Sequence, residues 1–262
     1  MLQNDRKIYY TLRIVSAMCF IGHGSFGIIT KQLWCNYFAV FGVGHDMAYN
    51  LMPWLGAVDV LMGISLLIYP ARIVVWWLVV WGIVTALLRP LSGEPFAEFI
   101  ERAGNYGAPL ALLILCSNGT PLIKGLFSLV STDQDIKAEA LAKVVKCLRV
   151  VVFLLFVGHG WLNLIEKKGL LEQYSSLGFS NPAQVAHIAG LFEIAAACTV
   201  LIRPLRPLIF ALLIWKIGTE LIYPQWELFE WIERGGSYGA LLALWLALPR
   251  ISLRTRKPLF TT

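Results

Sequence analysis

Long, almost uninterrupted apolar segments limit the fold of this chain more than any other feature. A helix needs about 20 consecutive apolar residues to cross a bilayer once. Eight segments meet or approach that length, namely 8–29, 52–69, 71–89, 103–119, 146–165, 184–202, 206–223 and 236–249. Charged residues make up only 15% of the chain, whereas about a quarter is usual in soluble domains. The sequence therefore predicts an all-α membrane protein with eight transmembrane helices.

Basic residues are distributed unevenly between alternate loops of this predicted bundle. Lys and Arg concentrate at both termini, in the turns at 69–72 and 202–206, and in the 120–149 linker. The opposite loops are mainly acidic, with residues such as Glu94 and Glu172. Because cytoplasmic loops are rich in Lys and Arg, we expect both termini in the cytoplasm. The net charge of +6 has the same origin, and it does not indicate nucleic-acid binding.

The two halves of the chain repeat the same blocks in the same order. The tripeptide GHG occurs at 22–24 and at 158–160, each time with an arginine ten residues before the histidine. Further along, Asp59 matches Glu193, and the block EFIERAGNYG matches EWIERGGSYG. Ordered matches at a nearly constant offset indicate tandem duplication of a four-helix unit.

The duplication divides the chain into three parts. Residues 1–119 form the first unit, residues 120–145 a cytoplasmic linker, and residues 146–262 the second unit. Four crossings return the chain to the side on which it started, so the two repeats should be parallel. Their pseudo-two-fold axis should then lie along the membrane normal. Superposition of the units should place His23 on His159.

Polar side chains fall within or beside the predicted helices, where a charge is costly unless it is paired or functional. A rise of about 1.5 Å per residue places them at one depth in the outer half of the bilayer. The first unit contributes His23, Asp59, Arg89, Glu101, Arg102 and Tyr106. The second contributes His159, Glu193, Lys216, Glu220, Glu233, Arg234 and Tyr238. We take His159, Glu193 and Lys216 as candidate catalytic residues and the others as candidate binding residues.

Two interpretations of these residues stay open. One is a buried ion-pair network that fixes helix packing, which suits the Glu-Arg pairs at helix starts. The other is a ligand site, because the glycines beside each histidine permit close approach of a helix or a flat ligand. Lys216 and Glu220 lie four residues apart on one helix face. We therefore expect a pocket in the second unit, lined by these polar residues, with Arg234 and Tyr238 at its mouth.

The segments EPFAEFIER and QWELFEWIER precede the fourth and eighth predicted spans and look like short interfacial helices. We expect their glutamates to face water and their apolar residues to face lipid. The apolar residues are Phe96, Phe99 and Ile100 in the first segment and Trp226, Phe229 and Ile232 in the second. The five cysteines form no CxxC pair, and no metal-ligand spacing is present, so neither a disulfide framework nor a metal site is expected.

Parts of the second unit resemble the DoxX/DoxD-like family of four-helix bacterial membrane proteins. The resembling pieces are GHGWLNLIEKKGLLEQYSSLGFSNP, the helix that carries Gly190 and Glu193, and the turn from Arg203 to Arg206. The first unit resembles the family more loosely, with Asp59 in place of the glutamate. The resemblance implies a bacterial inner-membrane protein linked to quinone redox chemistry, since DoxD-type members are similar to subunits of thiosulfate:quinone oxidoreductase.

Three hypotheses for function remain open at this stage. The first is a subunit of a quinone-linked redox system, with a periplasmic or membrane redox partner and with proton exchange by His159 and Glu193. The second is a small-molecule carrier whose units rock about the pseudo-axis. The third is a non-catalytic membrane scaffold. A heme held between His23 and His159 is a subsidiary idea that requires their two helices to be adjacent.

Overall fold

A computed structural model describes residues 2–117, 121–130, 136–222 and 228–248. Within these ranges the regular structure is helical, apart from one isolated β-bridge between Ala71 and Leu129. The first half contains α1 (Leu2–Ile28), α2 (Trp34–Ala39), α3 (His45–Ile68), α4 (Arg72–Leu91), α5 (Ala97–Glu101) and α6 (Ala103–Ser117). The second half contains α7 (Ala138–Leu164), α8 (Lys168–Ser176), α9 (Pro182–Ile202), α10 (Arg206–Leu221), α11 (Leu228–Glu233) and α12 (Gly235–Ala247).

The predicted spans correspond to the longer helices of both halves. Four of them are long and apolar enough to cross a membrane, namely α1 from Asp5, α3, α4 and α9, and α6 is a shorter apolar helix. The chain is therefore a multi-pass α-helical membrane protein. The helix of the fifth predicted span begins at Ala138 rather than at residue 146. The ends of the fourth, seventh and eighth predicted spans, and residue Trp226, lie outside the described residues.

Helix ends follow from local sequence. Pro70 and Pro204 stand in the turns that separate α3 from α4 and α9 from α10. Proline disfavours helical backbone at the residue before it, and Tyr69 and Arg203 are accordingly the non-helical caps of α3 and α9. The two arginines that precede the GHG tripeptides reach the last turns of α3 and α9. Arg13 donates from Nε to the Leu66 carbonyl at 2.8 Å, and Arg149 donates to the Leu201 carbonyl. These bonds satisfy carbonyls that a helix end leaves open.

The centre of the molecule is built on glycine contacts between the two halves. A Cβ on Gly104 of α6 would lie 2.5 Å from the Ser237 nitrogen of α12, and one on Gly236 would lie 2.5 Å from the Gly104 carbonyl oxygen. Helices approach this closely only where small residues meet. The α1 and α7 helices each pack against both α6 and α12.

The short helices cross between the halves. Gly22 of α1 packs against the backbone of Glu233 in α11, and Gly158 of α7 packs against the backbone of Glu101 in α5. In both cases an added Cβ would clash with a backbone nitrogen. Each GHG tripeptide thus packs against a short helix of the other half, α11 for the first tripeptide and α5 for the second.

The prediction that the glutamates of α5 face water is wrong. Glu98 is 0% exposed and Glu101 is 3% exposed, whereas Phe96 is half exposed. The physical reason is that basic side chains surround both carboxylates inside the protein. The prediction that Ile100 faces lipid is also wrong, because Ile100 is buried. In α11, Phe229 is exposed as predicted, but Glu233 is buried.

Candidate functional site

Each half contains a buried histidine–carboxylate pair. In the first half, His23 Nδ1 lies 2.8 Å from Asp59 Oδ2. In the second half, His159 Nδ1 lies 2.7 Å from Glu193 Oε2. The second glycine of each GHG makes the pair possible because it lets α1 touch α3 and α7 touch α9. The sequence predicts that these residues lie at one depth, and the structure shows that each histidine contacts its carboxylate.

The second pair is enclosed by further hydrogen bonds. Trp215 Nε1 donates to Glu193 Oε1 at 2.8 Å, and Asn163 Nδ2 lies 3.3 Å from Glu193 Oε2. The Tyr174 hydroxyl in turn donates to Asn163 Oδ1 at 2.7 Å. Both Glu193 oxygens therefore have protein partners. Sequence reasoning missed Asn163, Tyr174 and Trp215, although Asn163 lies one helical turn after His159.

The first pair has fewer protein partners. The His23 ring lies 4.7 Å from the Trp34 ring, centroid to centroid, with the planes inclined by 36°. Asp59 is 1% exposed, and within the described residues its side chain has His23 as its hydrogen-bond partner. Trp81 lies on α4 at the position that Trp215 occupies on α10. Its buried indole nitrogen has no hydrogen-bond partner among the described residues.

Glu101 anchors an ion-pair network between the halves. Its Oε1 lies 2.6 Å from Arg234 and 3.5 Å from Lys216, and its Oε2 lies 3.1 Å from Arg102. Glu220 completes this group, at 2.7 Å from Lys216 and 3.1 Å from Arg234. Lys216 is fully buried and thus faces the protein interior. It pairs with Glu220, four residues away on the same helix, and with Glu101 of the other half.

Glu98 anchors a second group of ion pairs beside the first. Its carboxylate contacts Arg102 at 2.5 Å, Arg89 at 3.6 Å, and Lys167. Burial by itself would raise the pKa of Glu98, but Arg102 and Lys167 outweigh burial and lower that pKa to about 2. Arg89 also contacts Glu94 at 3.0 Å. Glu98 is thus ionised and paired.

One cavity of about 630 Å³ lies between the two halves. Both histidines line it, together with Arg89, Glu101, Arg102, Glu220, Glu233 and Arg234. Aromatic side chains from the first half line it as well, namely Phe26, Trp34, Tyr37, Phe38, Phe41 and Trp81. It is therefore a mixed apolar and charged cavity, as is usual for small-molecule sites.

The cavity corrects the predicted location of the pocket. The prediction placed it within the second half, but most of its lining comes from the first half. Asp59, Glu193 and Lys216 stand behind the lining rather than in it. Tyr238 is buried against Trp231, with ring centroids 5.5 Å apart, and Tyr106 stacks on Phe99. Neither tyrosine lines the cavity.

Comparison with known proteins finds a similarity in the second half. Residues 144–216 match the model of the DoxX family. This segment is similar to DoxX domains. It extends from α7 to α10 and contains His159, Glu193 and Lys216. No curated protein and no solved structure matches the chain.

The described parts of the chain contain no group of three or more His, Cys, Asp or Glu side chains that could hold a metal ion. Both histidines line one cavity, and each uses Nδ1 for its carboxylate, which leaves Nε2 as the ring nitrogen that a metal could take. A heme shared by His23 and His159 would need α1 and α7 side by side, but each of these helices packs on α6 and α12.

Proposed function

We propose that this protein binds a quinone, or a similar flat carbonyl compound, as a subunit of a redox system in a bacterial inner membrane. The observation that carries the proposal is that two histidine–carboxylate pairs reach one mixed apolar and charged cavity. An amphipathic ring with carbonyl groups matches such a lining. The cavity lies at the end of the helices that carries the acidic loops, so it faces the periplasm in the proposed topology.

We further propose that the chain spans the membrane eight times as two parallel, duplicated units, with both termini in the cytoplasm. The order of long and short helices in α1–α6 recurs in α7–α12. Equivalent histidines bind equivalent carboxylates, and equivalent arginines reach equivalent helix ends. A duplication accounts for all these correspondences at once.

The proposed chemistry is hydrogen bonding and proton exchange at the carbonyl oxygens of the ligand. A histidine held by a carboxylate can pass a proton between the cavity and the carboxylate. Arg234 and Arg89 line the cavity and would stabilise negative charge that develops on a reduced ligand. The electrons would come from the redox partner.

The ion-pair network favours a second candidate, a non-catalytic scaffold. Its acidic and basic side chains neutralise one another, and such a network can serve helix packing alone. The carrier hypothesis is less well supported. Rocking of the halves would have to separate the backbone contact between Gly104 and Gly236.

Binding measurements on protein purified with native lipid would test the proposal. We expect quinone in the lipid extract by mass spectrometry. We also expect saturable binding of a decyl-substituted benzoquinone, weakened about tenfold or more when both His23 and His159 are changed to Gln. The matched control changes His45 and His187, which lie outside the cavity, to Gln. Unchanged binding in the first double variant, or no binding to the wild type, would favour the scaffold.

A further inference from the structure

We propose that the hydrogen-bond-accepting head of the ligand binds in the first half of the cavity, between His23 and the indole N–H of Trp81. The inference rests on the proposed function and deepens it by locating the subsite. It reverses the expectation from sequence, which placed the functional site in the second half because of Lys216 and Glu220. The location of the subsite follows from which donors and acceptors the protein already uses.

The second histidine–carboxylate pair is saturated by the protein. Trp215 fills one Glu193 oxygen at 2.8 Å, and His159 fills the other at 2.7 Å. Asn163 adds a contact at 3.3 Å and is itself held by Tyr174. A buried network in which every group is satisfied fixes its members in place. It leaves no free donor for a ligand beyond the exposed edge of the His159 ring.

The first pair leaves a donor unused at the cavity wall. Trp81 lines the cavity, and its indole nitrogen is buried without a hydrogen-bond partner in the described chain. A buried N–H without a partner costs roughly 1–3 kcal/mol. Such a group in a native protein calls for an explanation, and ligand binding is one.

One methylene explains the difference between the pairs. Trp81 and Trp215 occupy equivalent positions in the repeat, as do Asp59 and Glu193. The longer glutamate reaches both its histidine and its tryptophan. The shorter aspartate reaches its histidine alone. A ligand acceptor in the cavity can take the hydrogen bond that the carboxylate does not, once the Trp81 side chain turns its buried N–H toward the cavity.

The surroundings of the subsite indicate the class of ligand. Trp34 stands against His23, with Phe26 and Tyr37 also in the wall. Aromatic faces favour a flat ring at an offset-stacked or edge-on distance. Trp81 is a donor only, so the atom it binds must be an acceptor. A ring that carries a carbonyl oxygen meets both conditions.

Removal of one N–H from each half tests the subsite. We expect Trp81→Phe to weaken binding of the decyl-substituted benzoquinone about tenfold and to leave the thermal midpoint of the ligand-free protein unchanged or higher. We expect Trp215→Phe to lower that midpoint, because Glu193 loses a donor, and to leave binding within about twofold. Trp54→Phe, at an exposed position on α3, is the matched control and should change neither quantity.

A lengthened carboxylate provides the complementary test. Asp59→Glu should bring the carboxylate within reach of Trp81, which would raise the thermal midpoint and weaken quinone binding. Equal binding by wild type and Trp81→Phe would overturn the inference while the proposed function stands. So would a Trp81→Phe midpoint lowered as far as that of Trp215→Phe. Absence of quinone binding to the wild type would overturn both.

Discussion

The two histidine–carboxylate pairs have the same backbone frame and different chemistry. Glycines bring the same helices together in both halves, and each histidine uses Nδ1 for its carboxylate. The second pair then adds Asn163, Tyr174 and Trp215, whereas the first faces Trp34 and Trp81, whose indole nitrogen has no hydrogen-bond partner in the described part of the chain. The more polar of the two pairs is therefore the less available one. A larger set of polar residues around a histidine–carboxylate pair can mean that the hydrogen bonds of that pair are already made.

The largest expected loss of stability comes from replacing Arg234 of the second half, and a smaller loss from replacing Arg102 of the first. Arg234→Met removes a partner from Glu101, Glu220 and Glu230, and we expect it to lower the free energy of unfolding by about 3–5 kcal/mol. Arg102→Met should cost less, because Glu98 keeps Lys167 and Arg89.

Unfolding in detergent by a chemical denaturant would measure both changes. Lys143→Met is the control, since Lys143 forms an exposed pair with Glu139 on the surface of α7 and should show no measurable change. An Arg102→Met variant that is less stable than Arg234→Met would contradict the proposed ranking of the two groups.

The next effect tests whether the halves are packed alike. Gly22→Ala and Gly158→Ala each place a Cβ against backbone of the other half, so we expect both to lose about 1–3 kcal/mol by the same measurement. Gly218→Ala is the control, because no atom lies within 4 Å of its added Cβ. If one of the two glycines tolerates alanine as well as Gly218 does, the reciprocal packing is absent from that half.

A smaller effect is expected when the carboxylate of the second pair is shortened to the length found in the first pair. Glu193→Asp shortens the carboxylate that Trp215 and His159 share, so one buried donor loses its partner. We expect a loss of about 1–2 kcal/mol in the free energy of unfolding. The indole N–H signal of Trp215 in an NMR spectrum should shift as its hydrogen bond is lost. An unchanged signal would show that the methylene does not set the difference between the halves.

The smallest effect concerns pH near neutrality. The pKa of Glu98 is lowered to about 2 from an ordinary 4.5, so its ion pairs stabilise the fold fully above the ordinary value. That contribution is lost only as pH falls from 4.5 toward 2. Between about pH 7 and pH 5 we therefore expect the stability difference between wild type and Glu98→Gln to stay constant. A difference that also stays constant as pH falls from 4.5 toward 2 would mean that the pKa of Glu98 is the same in the folded and the unfolded chain.

The positions of the long apolar helices could be predicted from the sequence, whereas the members of the two pairs were predicted only to lie at one depth. A fixed rise per residue gives the depth of each side chain in the membrane, and it places His23 level with Asp59 and His159 level with Glu193. Depth does not show how a helix is rotated about its axis or which helix lies beside it.

The sequence therefore does not predict the contacts between the halves. An amphipathic segment has two faces, so its sequence predicts that Glu98 faces water, and nothing in the segment shows that Lys167 lies at the inner face. The sequence predicts the pocket in the second half because that half has more charged residues, but it does not show how those charges pair. The unsatisfied nitrogen of Trp81 has no sequence signal except its match to Trp215.

The exchange of short helices between the halves has a consequence for biogenesis. Gly22 is made early in translation, but its packing partner in α11 follows α10 in the chain. We therefore expect the first half to enter the bilayer with one flank open until α11 covers it. The cavity is complete only after α11 docks, because Glu230 and Glu233 of α11 belong to its lining. We thus expect the site to assemble late in synthesis, and a chain that ends before α11 should lack a finished cavity.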